Sequence, residues 1–324
     1  MIIDVLLLLA GLVILIFGGE SLVRGSVALA QRLGISPLIV GLTTVAFGTS
    51  TPELVISITA ALDGSTSISF GNVIGSNITN IGLVLGITAI VRPIVVNSSI
   101  IIREIPMLLL CSSAALVLGL DSWFGETEDH FSRGDGAMLL LLFTVFVYYT
   151  IKDVIEQKSS DKFLEDAQGS VSQDIQPSWK IIGYIVLGLL GLTYGGNMVV
   201  GSAVTIAVSF GIKEVVIAST VLAIGTSLPE LTICTMAALK GHNDLAIGNI
   251  IGSNIFNLLL VLGVTSAITP VTVPDKSWID LVIMLGFTIA ILPMAINHQK
   301  KITRGEGILL VCGFVGFIFW QTIR

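Results

Sequence analysis

The chain contains the same unusual pair of motifs twice. Residues 48–53 have the sequence GTSTPE, and residues 225–230 have the sequence GTSLPE. The segment GNVIGSN at 71–77 returns with the same offset as GNIIGSN at 248–254. Aligned without a gap, residues 34–93 and 211–270 are identical at 29 of 60 positions. A duplication of this kind predicts two equivalent halves, with a polar, broken helix at the same place in each.

The composition predicts an integral membrane protein. Only 12% of the 324 residues are charged and 53% are hydrophobic, whereas soluble globular chains carry about 25% charged residues. The acidic loop at 121–135 argues against nucleic acid as a partner, which leaves the lipid bilayer and small ions. Cys111, Cys234 and Cys312 show no metal-ligand spacing, and we expect them to be buried free thiols.

Apolar runs of about 20 residues cross a bilayer as helices. We expect the first run to be a span rather than a cleaved leader, because it has no basic segment before it. Continuous apolar runs also favour helices over an alternating β-barrel pattern. The sequence therefore predicts an all-α integral membrane fold with ten transmembrane helices near residues 2–31, 36–62, 66–90, 97–120, 135–152, 180–208, 213–239, 245–268, 277–297 and 306–323.

Lysine and arginine residues predict the orientation. With the N-terminus outside, 12 of the 16 basic residues fall on the inner side of the cell membrane, and the C-terminus also lies outside. A repeat of five spans is odd in number, so the second copy must cross the membrane inverted, as in alternating-access carriers. The predicted organisation is a first half at 1–152, a polar cytoplasmic linker at 153–179 and a second half at 180–324.

Each GTSxPE motif is predicted to break its helix inside the membrane. Pro52 has no N–H and disfavours a helical residue before it, so backbone carbonyls such as that of Ala46 should be freed. Irregular backbone at membrane depth is tolerated only where it is buried or lines a cavity. Glu53 follows Thr49 by four residues, which places both side chains on one face. A carboxylate in this setting is a functional-site hypothesis.

The candidate ligands form matched pairs with hard oxygen atoms. Calcium takes 6–8 oxygen ligands, whereas soft metals prefer cysteine or histidine. Two carboxylates balance one divalent cation, and two or three monovalent cations are the alternative occupants. The candidate residues are Ala46 and Ala223, Thr49 and Thr226, Ser50 and Ser227, Glu53 and Glu230, Ser76 and Ser253, and Asn80 and Asn257.

Structural explanations exist for parts of this pattern. The glycine spacing at 71–75 and 248–252 also suits close helix packing. Asn77 and Asn254 suit a bond to freed backbone as well as contact with an ion. A lone buried glutamate can be a protonated structural residue, but a matched pair, each with a broken helix and hydroxyls, favours an ion site.

The paired segments resemble the two α-repeats of the cation/calcium exchanger superfamily, and in particular its prokaryotic sodium/calcium exchangers. The resemblance covers nearly the whole chain. It implies that the residues above form one calcium site and several sodium sites, and that the first and sixth spans slide across a fixed core. It also implies a secondary antiporter that exchanges sodium for calcium by alternating access, with no cofactor and no enzymatic activity. Some relatives have an aspartate at the place of Asn257. This chain has asparagine there and at Asn80, so its centre holds only two acids.

Three other functions stay open at this stage. Proton- or potassium-coupled exchange, or magnesium as the substrate, would keep the fold and change the ions. A cation channel is disfavoured by the inverted duplication with two broken helices. An intramembrane enzyme is disfavoured because the spans contain no Ser/His, Asp/Asp or His-metal set: His130, His242 and His298 fall at loops or span ends.

The asparagine at position 257, where some relatives have an aspartate, leads to a first prediction. Asn257→Asp adds a carboxylate for which protons compete, so exchange should become more sensitive to acid pH, and the balance between sodium and calcium should change. Exchange is measured against pH for the wild type and the variant in parallel. Superimposable profiles with unchanged affinity for both ions would place Asn257 outside the site.

Overall fold

The computed structural model describes residues 2–125, 128–168, 176–210, 223–297 and 299–323. Helices account for most of these residues, and short strands connect some of them. The helices are α1 (Ile2–Leu33), α2 (Pro37–Thr49), α3 (Thr51–Leu62), α4 (Thr66–Val91), α5 (Ile100–Leu118), α6 (Arg133–Gln168), α7 (Ser178–Ser209), α8 (Ala223–Thr226), α9 (Leu228–Leu239), α10 (Asn243–Ile268), α11 (Trp278–Ile296) and α12 (Arg304–Ile323). The strands are β1 (Ile94–Val95), β2 (His130–Phe131), β3 (Val271–Thr272) and β4 (Lys301–Ile302).

Eight helices of the described ranges are long and apolar enough to cross a bilayer: α1, α4, α5, α6, α7, α10, α11 and α12. The pair α2 and α3, bent by 43° at the break between them, adds a ninth when counted as one span. The predicted span at 213–239 is described only from residue 223 onwards, as α8 and the apolar α9. The chain is therefore an all-helical, multi-pass membrane protein.

Two details differ from the sequence-based expectations. Helix α6 does not end near residue 152 but continues to Gln168, so the first part of the predicted linker prolongs the fifth span. Lysine, glutamate and glutamine recur in this stretch and have high helix propensities. Cys111 and Cys234 are buried as expected, but the expectation for Cys312 is wrong, because its side chain is exposed on the apolar helix α12.

The sequence repeat returns as a repeat of backbone geometry. Gly64 and Gly241 are equivalent positions of the repeat, and they follow the ends of α3 and α9 with φ angles of 79° and 86°, a conformation that favours glycine. Wider, π-helical turns occur at matched places inside α4, at Asn80–Leu85, and inside α10, at Phe256–Val261. Such turns are frequent at functional sites.

Reciprocal capping explains a second sequence echo, RGDG at 133–136 and RGEG at 304–307. The Asp135 carboxylate accepts the Ser132 N–H at 2.8 Å, and Ser132 Oγ accepts the Asp135 N–H at 3.2 Å. Glu306 and Thr303 repeat this arrangement at 2.7 and 3.4 Å. Each capping box satisfies free N–H groups at a helix start, here of α6 and α12.

Helices α1 and α7 pack against each other through glycines and run antiparallel. A Cβ atom on Gly11 would lie 3.0 Å from the Gly195 carbonyl oxygen, and one on Gly18 would lie 2.8 Å from the Leu192 nitrogen. Further along α1, a Cβ on Gly25 would meet Ile185 at 2.8 Å. Small residues let the two backbones approach closely, as is common for helices in lipid.

Two small antiparallel sheets join elements that are far apart in sequence. Strand β1 follows α4 and pairs with β4, which precedes α12. Strand β2 precedes α6 and pairs with β3, which follows α10. Each sheet therefore joins a strand from residues 94–131 to a strand from residues 271–302.

The two helices with the GNxxGSN motif lie at the centre of the molecule. In α10, 94% of the most apolar 18-residue window is buried, and in α4 the share is 78%, against 11% in α6. Most residues on these central helices are covered by the other elements, so most polar groups there contact protein.

Packing of α1 on α7 yields a second prediction. At Gly191 a new Cβ would lie 2.9 Å from the Gly18 Cα, a backbone atom that cannot rotate away. Gly191→Leu should therefore lower the melting temperature of the detergent-purified protein, consistent with an overpacking cost of about 1–3 kcal/mol. The control is Gly183→Leu on the same helix, where no described atom lies within 4 Å of the new Cβ. Equal melting temperatures for the two variants would contradict the packing.

Candidate ion-binding site

The helix breaks fall at Ser50 and Ser227, one residue before the start of α3 and of α9. Their φ and ψ angles are −86° and 2° for Ser50, and −91° and 6° for Ser227. Pro52 and Pro229 sit in the first turn that follows, where a missing N–H costs no hydrogen bond. The breaks are thus where the sequence predicted them.

One detail of the first break differs from the prediction. The Ala46 carbonyl is not freed, because it accepts the Ser50 N–H at 2.9 Å. The Thr49 hydroxyl also lies 3.4 Å from it. The helix therefore closes its last turn before the break, and only the remaining lone pair of this oxygen is available for an ion. For Ala223, only the backbone belongs to the described part of the chain; the Ser227 N–H bonds to Ile224 instead, at 3.2 Å.

Side chains from the two copies meet across the centre. The Thr49 hydroxyl donates to Asn249 Oδ1 at 3.3 Å and lies 3.5 Å from Ser253 Oγ. Asn80 Nδ2 donates to Asn254 Oδ1 at 3.1 Å. The first broken helix is therefore held against α10, and α4 is held against α10 next to it.

The candidate residues are almost fully buried. Glu53 and Glu230 are each 1% exposed, and their carboxylates are close enough to interact electrostatically. Thr226 is half-buried. The fully buried members of the candidate set are Ala46, Thr49, Ser50, Glu53, Ser76, Asn80, Ser227, Glu230, Ser253 and Asn257.

Many oxygens of this cluster have no hydrogen-bond partner among the described residues. A buried polar atom left unpaired costs about 1–3 kcal/mol, so native proteins contain few of them. Eight of them here belong to the candidate residues and to Asn77 and come from both copies, as expected where oxygens face a cation. They are Ser50 Oγ, Ser227 Oγ, Glu53 Oε2, both carboxylate oxygens of Glu230, and the Oδ1 atoms of Asn77, Asn80 and Asn257.

Asn77 and Asn254, for which the sequence suited either a bond to backbone or contact with an ion, make different contacts. Asn77 Nδ2 donates to the Val73 carbonyl at 2.8 Å, inside its own helix, and its oxygen is unpaired in the described structure. Asn254 Oδ1 accepts from Asn80. Asn254 therefore serves as a bridge between α4 and α10, while Asn77 also presents an oxygen to its surroundings.

The ligand chemistry is that of hard oxygen donors. No group of three or more His, Cys, Asp or Glu residues that could hold a metal ion occurs in the described ranges. Cys234, near Glu230, accepts from Asn249 Nδ2 at 3.2 Å and donates to the Ala246 carbonyl at 3.5 Å. The two carboxylates thus provide the negative charge, and neutral hydroxyls and amides surround them.

Sequence reasoning missed Asn72 and Asn249 as individual residues. Asn72 Nδ2 donates to the Glu53 carbonyl at 3.1 Å and to Ser57 Oγ at 2.9 Å, which ties α4 to α3. Their presence in both GNxxGSN copies was the available signal, but the motif alone does not distinguish their role from that of the neighbouring glycines.

A cavity of about 600 Å³ extends from the cluster to the helix ends. Ser76 and Thr226 line it at the cluster, and Asp280 and Gln321 line it at the start of α11 and the end of α12. The cavity therefore connects residues of the cluster with residues near two helix ends.

The arrangement is that of a membrane transporter for cations, with two broken helices and buried oxygens from both copies. The sequence profile described as "Sodium/calcium exchanger protein" matches residues 3–152 and 180–323. The chain belongs to this family of membrane transporters, and it is a cation/calcium exchange antiporter. The unmatched residues between the two segments coincide with the predicted linker.

Individual relatives are similar in sequence to this chain over nearly their whole length. CaxA of Alkalimonas amylolytica, described as a putative antiporter, is 39% identical over 320 residues, covering 98% of each chain. The inner membrane protein YrbG of Escherichia coli is 34% identical over 322 residues, covering 97% of this chain and 96% of its own. A solved structure of the sodium-calcium exchanger NCX_Mj, soaked with 2.5 mM Na+ and 0.1 mM Ca2+, superimposes with a TM-score of 0.81 at 32% identity, covering 98% of both chains.

Proposed function

We propose that the protein is a secondary antiporter that exchanges sodium for calcium across the cell membrane by alternating access. The observation that carries this proposal is the cluster around Glu53 and Glu230, where unpaired buried oxygens from both copies converge. The NCX_Mj structure, named as a sodium-calcium exchanger, shares the fold over nearly the whole chain. Calcium and sodium are substrates here, and no cofactor is needed.

Charge and ligand number favour calcium as one substrate. Glu53 and Glu230 have no counter-charge from the protein in the described cluster, so a divalent cation neutralises them. Hydroxyl, amide and carbonyl oxygens complete the 6–8 ligands that calcium takes. We assign the ligand role to Ala46, Thr49, Ser50, Glu53, Ser76, Asn80, Ala223, Thr226, Ser227, Glu230, Ser253 and Asn257.

Sodium is the proposed counter-ion because it binds to the same kind of oxygen. Two or three sodium ions between the carboxylates replace one calcium ion with little change in local charge. Proton or potassium coupling would use the same fold and is distinguished by experiment.

We further propose ten spans in two inverted five-helix repeats, with the linker at 153–179 between the halves. Contacts between the segments that connect the helices support this topology. Each contact joins two segments that are predicted to lie on the same side of the membrane. On the predicted inner side, Arg92 donates to the Leu239 carbonyl, Asn97 donates to Asp244, and β1 pairs with β4. On the predicted outer side, Thr66 donates to Thr272, and β2 pairs with β3.

Helix directions support the inversion. The first helices of the two proposed halves, α1 and α7, run antiparallel, as equivalent helices of inverted repeats must when they pack face to face. Both termini then lie outside. The similarity to YrbG, an inner membrane protein, supports the cell membrane as the location.

The function is tested by calcium uptake into proteoliposomes under imposed sodium, potassium and proton gradients. We expect saturable calcium uptake driven by an outward sodium gradient only. Uptake driven by a potassium or proton gradient would show that this ion, and not sodium, is the coupling ion. Non-saturable calcium flux without any counter-ion would indicate a channel.

The two glutamates provide a third prediction. Glu53→Gln and Glu230→Gln each remove one of two buried charges while keeping side-chain shape, so calcium exchange should be abolished in folded, extractable protein. The control is Glu128→Gln, on an exposed loop residue. Near-normal exchange in either glutamine variant would contradict the proposal that both glutamates bind calcium.

Topology provides a fourth prediction. Single cysteines are introduced by Ser159→Cys and Glu128→Cys in a Cys312→Ser background and labelled in intact cells with a membrane-impermeant maleimide. The first should react only after the membrane is opened, and the second should react at once. Labelling of both from the same side would break the ten-span arrangement.

A further inference from the structure

Asn72 and Asn249 occupy the same place in the two copies of the repeat, and each anchors its amide nitrogen on its own broken helix. Asn72 Nδ2 donates to Ser57 Oγ at 2.9 Å, and Asn249 Nδ2 donates to Cys234 Sγ at 3.2 Å. Ser57 and Cys234 are themselves equivalent positions of the repeat. The anchor is thus repeated, although its acceptor changes from a hydroxyl to a thiol.

The anchored nitrogen determines where the oxygen of Asn249 lies. With Nδ2 directed to Cys234, Oδ1 faces the other copy and accepts the Thr49 hydroxyl at 3.3 Å. Asn249 has no exposed surface, so water does not compete for either end of the amide. The thiol is itself oriented, because Cys234 Sγ donates to the Ala246 carbonyl and keeps its lone pairs for Asn249.

A hydroxyl that binds a cation must direct its hydrogen elsewhere. Only the lone pairs of the oxygen are attracted to the cation, so the O–H bond needs an acceptor on the far side. The Glu230 carboxylate, whose oxygens have no hydrogen-bond partner among the described residues, is a proposed ligand of the same cation and is not free to accept this hydrogen.

Ser253 Oγ lies 3.5 Å from the Thr49 hydroxyl but is itself a proposed ligand of the ion, so two acceptors outside the carboxylates remain for this hydrogen. The Ala46 carbonyl lies 3.4 Å from the Thr49 hydroxyl, but it already accepts the Ser50 N–H. Asn249 Oδ1 is nearer and accepts no other hydrogen bond in the described structure than the one from Thr49. Asn249 is therefore the acceptor best placed to hold the hydroxyl when an ion is bound.

We propose that Asn249 is a positioning residue for ion binding, which holds the Thr49 hydroxyl with its lone pairs towards the cation, and that Cys234 fixes the orientation of Asn249. This inference rests on the proposed function, because it assumes that Thr49 contacts the transported ion. It assigns no direct ion contact to Asn249 or to Cys234. Affinity for calcium therefore depends on a chain of three side chains from both copies, of which only Thr49 touches the ion.

A double-mutant cycle tests this chain. Thr49→Val removes the hydroxyl at nearly constant volume, Asn249→Ala removes its acceptor, and the third variant combines both. The readout is the apparent KM for calcium in sodium-driven proteoliposome uptake, with the maximal rate and melting temperature measured alongside. Asn249→Ala should raise KM about tenfold, the loss expected for one buried hydrogen bond, and Thr49→Val, which removes the ligand itself, should raise it at least as much. The double variant should be no worse than Thr49→Val alone, because Asn249 has then lost its target.

A second arm uses the natural difference between the copies. Cys234→Ala removes the acceptor for Asn249 and should raise KM, whereas Cys234→Ser, which introduces the hydroxyl that Ser57 supplies in the other copy, should restore it. A merely structural role would lower the melting temperature of both alanine variants without this rescue. This arm keeps the proposal testable if Asn249→Ala does not fold.

The outcomes separate this inference from the proposed function. Wild-type protein without sodium-driven calcium uptake would overturn the proposed function itself. Wild-type uptake with multiplicative penalties in the double variant, or equal KM values for Cys234→Ala and Cys234→Ser, would overturn the positioning role alone.

Discussion

Two carboxylates buried in an apolar protein, without a counter-charge from the described chain, determine how the rest of this structure is built. Isolated charges in a low-dielectric interior are costly unless they are paired. Glu53 and Glu230 lie in the centre, on the broken helices that pack against α4 and α10. The helices around them are arranged so that neutral oxygens point to the same place. The central position and the unpaired oxygens are consequences of one requirement, a buried site with a net negative charge.

The same requirement explains why the helix breaks and the π-helical turns each occur twice. A continuous helix uses its carbonyls for its own hydrogen bonds, so oxygen-rich sites in membranes need a break. Ser50 and Ser227 provide the breaks, and the π-helical turns at Asn80–Leu85 and Phe256–Val261 interrupt the regular ladder of the central helices. The outer helices face the lipid with apolar side chains.

The sequence predicted the features that depend on composition or on the repeat. Apolar runs predicted the long helices, and Pro52 and Pro229 predicted the breaks, because a residue without an N–H has few places in a helix. The burial of Glu53 and Glu230 followed from their place beside these breaks. The antiporter class was predicted from the paired motifs and is confirmed by the family match.

Other features depend on distances that a sequence does not contain. Whether the Ala46 carbonyl is free depends on whether one more turn closes before Ser50, a difference of a single hydrogen bond. The end of α6 at Gln168 depends on a helix outside the membrane, where the apolar signal stops. Asn249 contacts Thr49, which lies in the other copy of the repeat. Neither hydropathy nor local propensity carries information about such a contact.

The two small sheets have a consequence for how the protein is made. Strand β1 pairs with β4, which lies just before the last helix, and β2 pairs with β3 in the other copy. A ribosome delivers the early helices into the membrane long before their strand partners exist. The first half must therefore wait in the bilayer with its strand edges unpaired, until the last connections of the chain complete both sheets. Early and late elements of the chain are paired in both sheets, so the fold is complete only after its last connections have been synthesised.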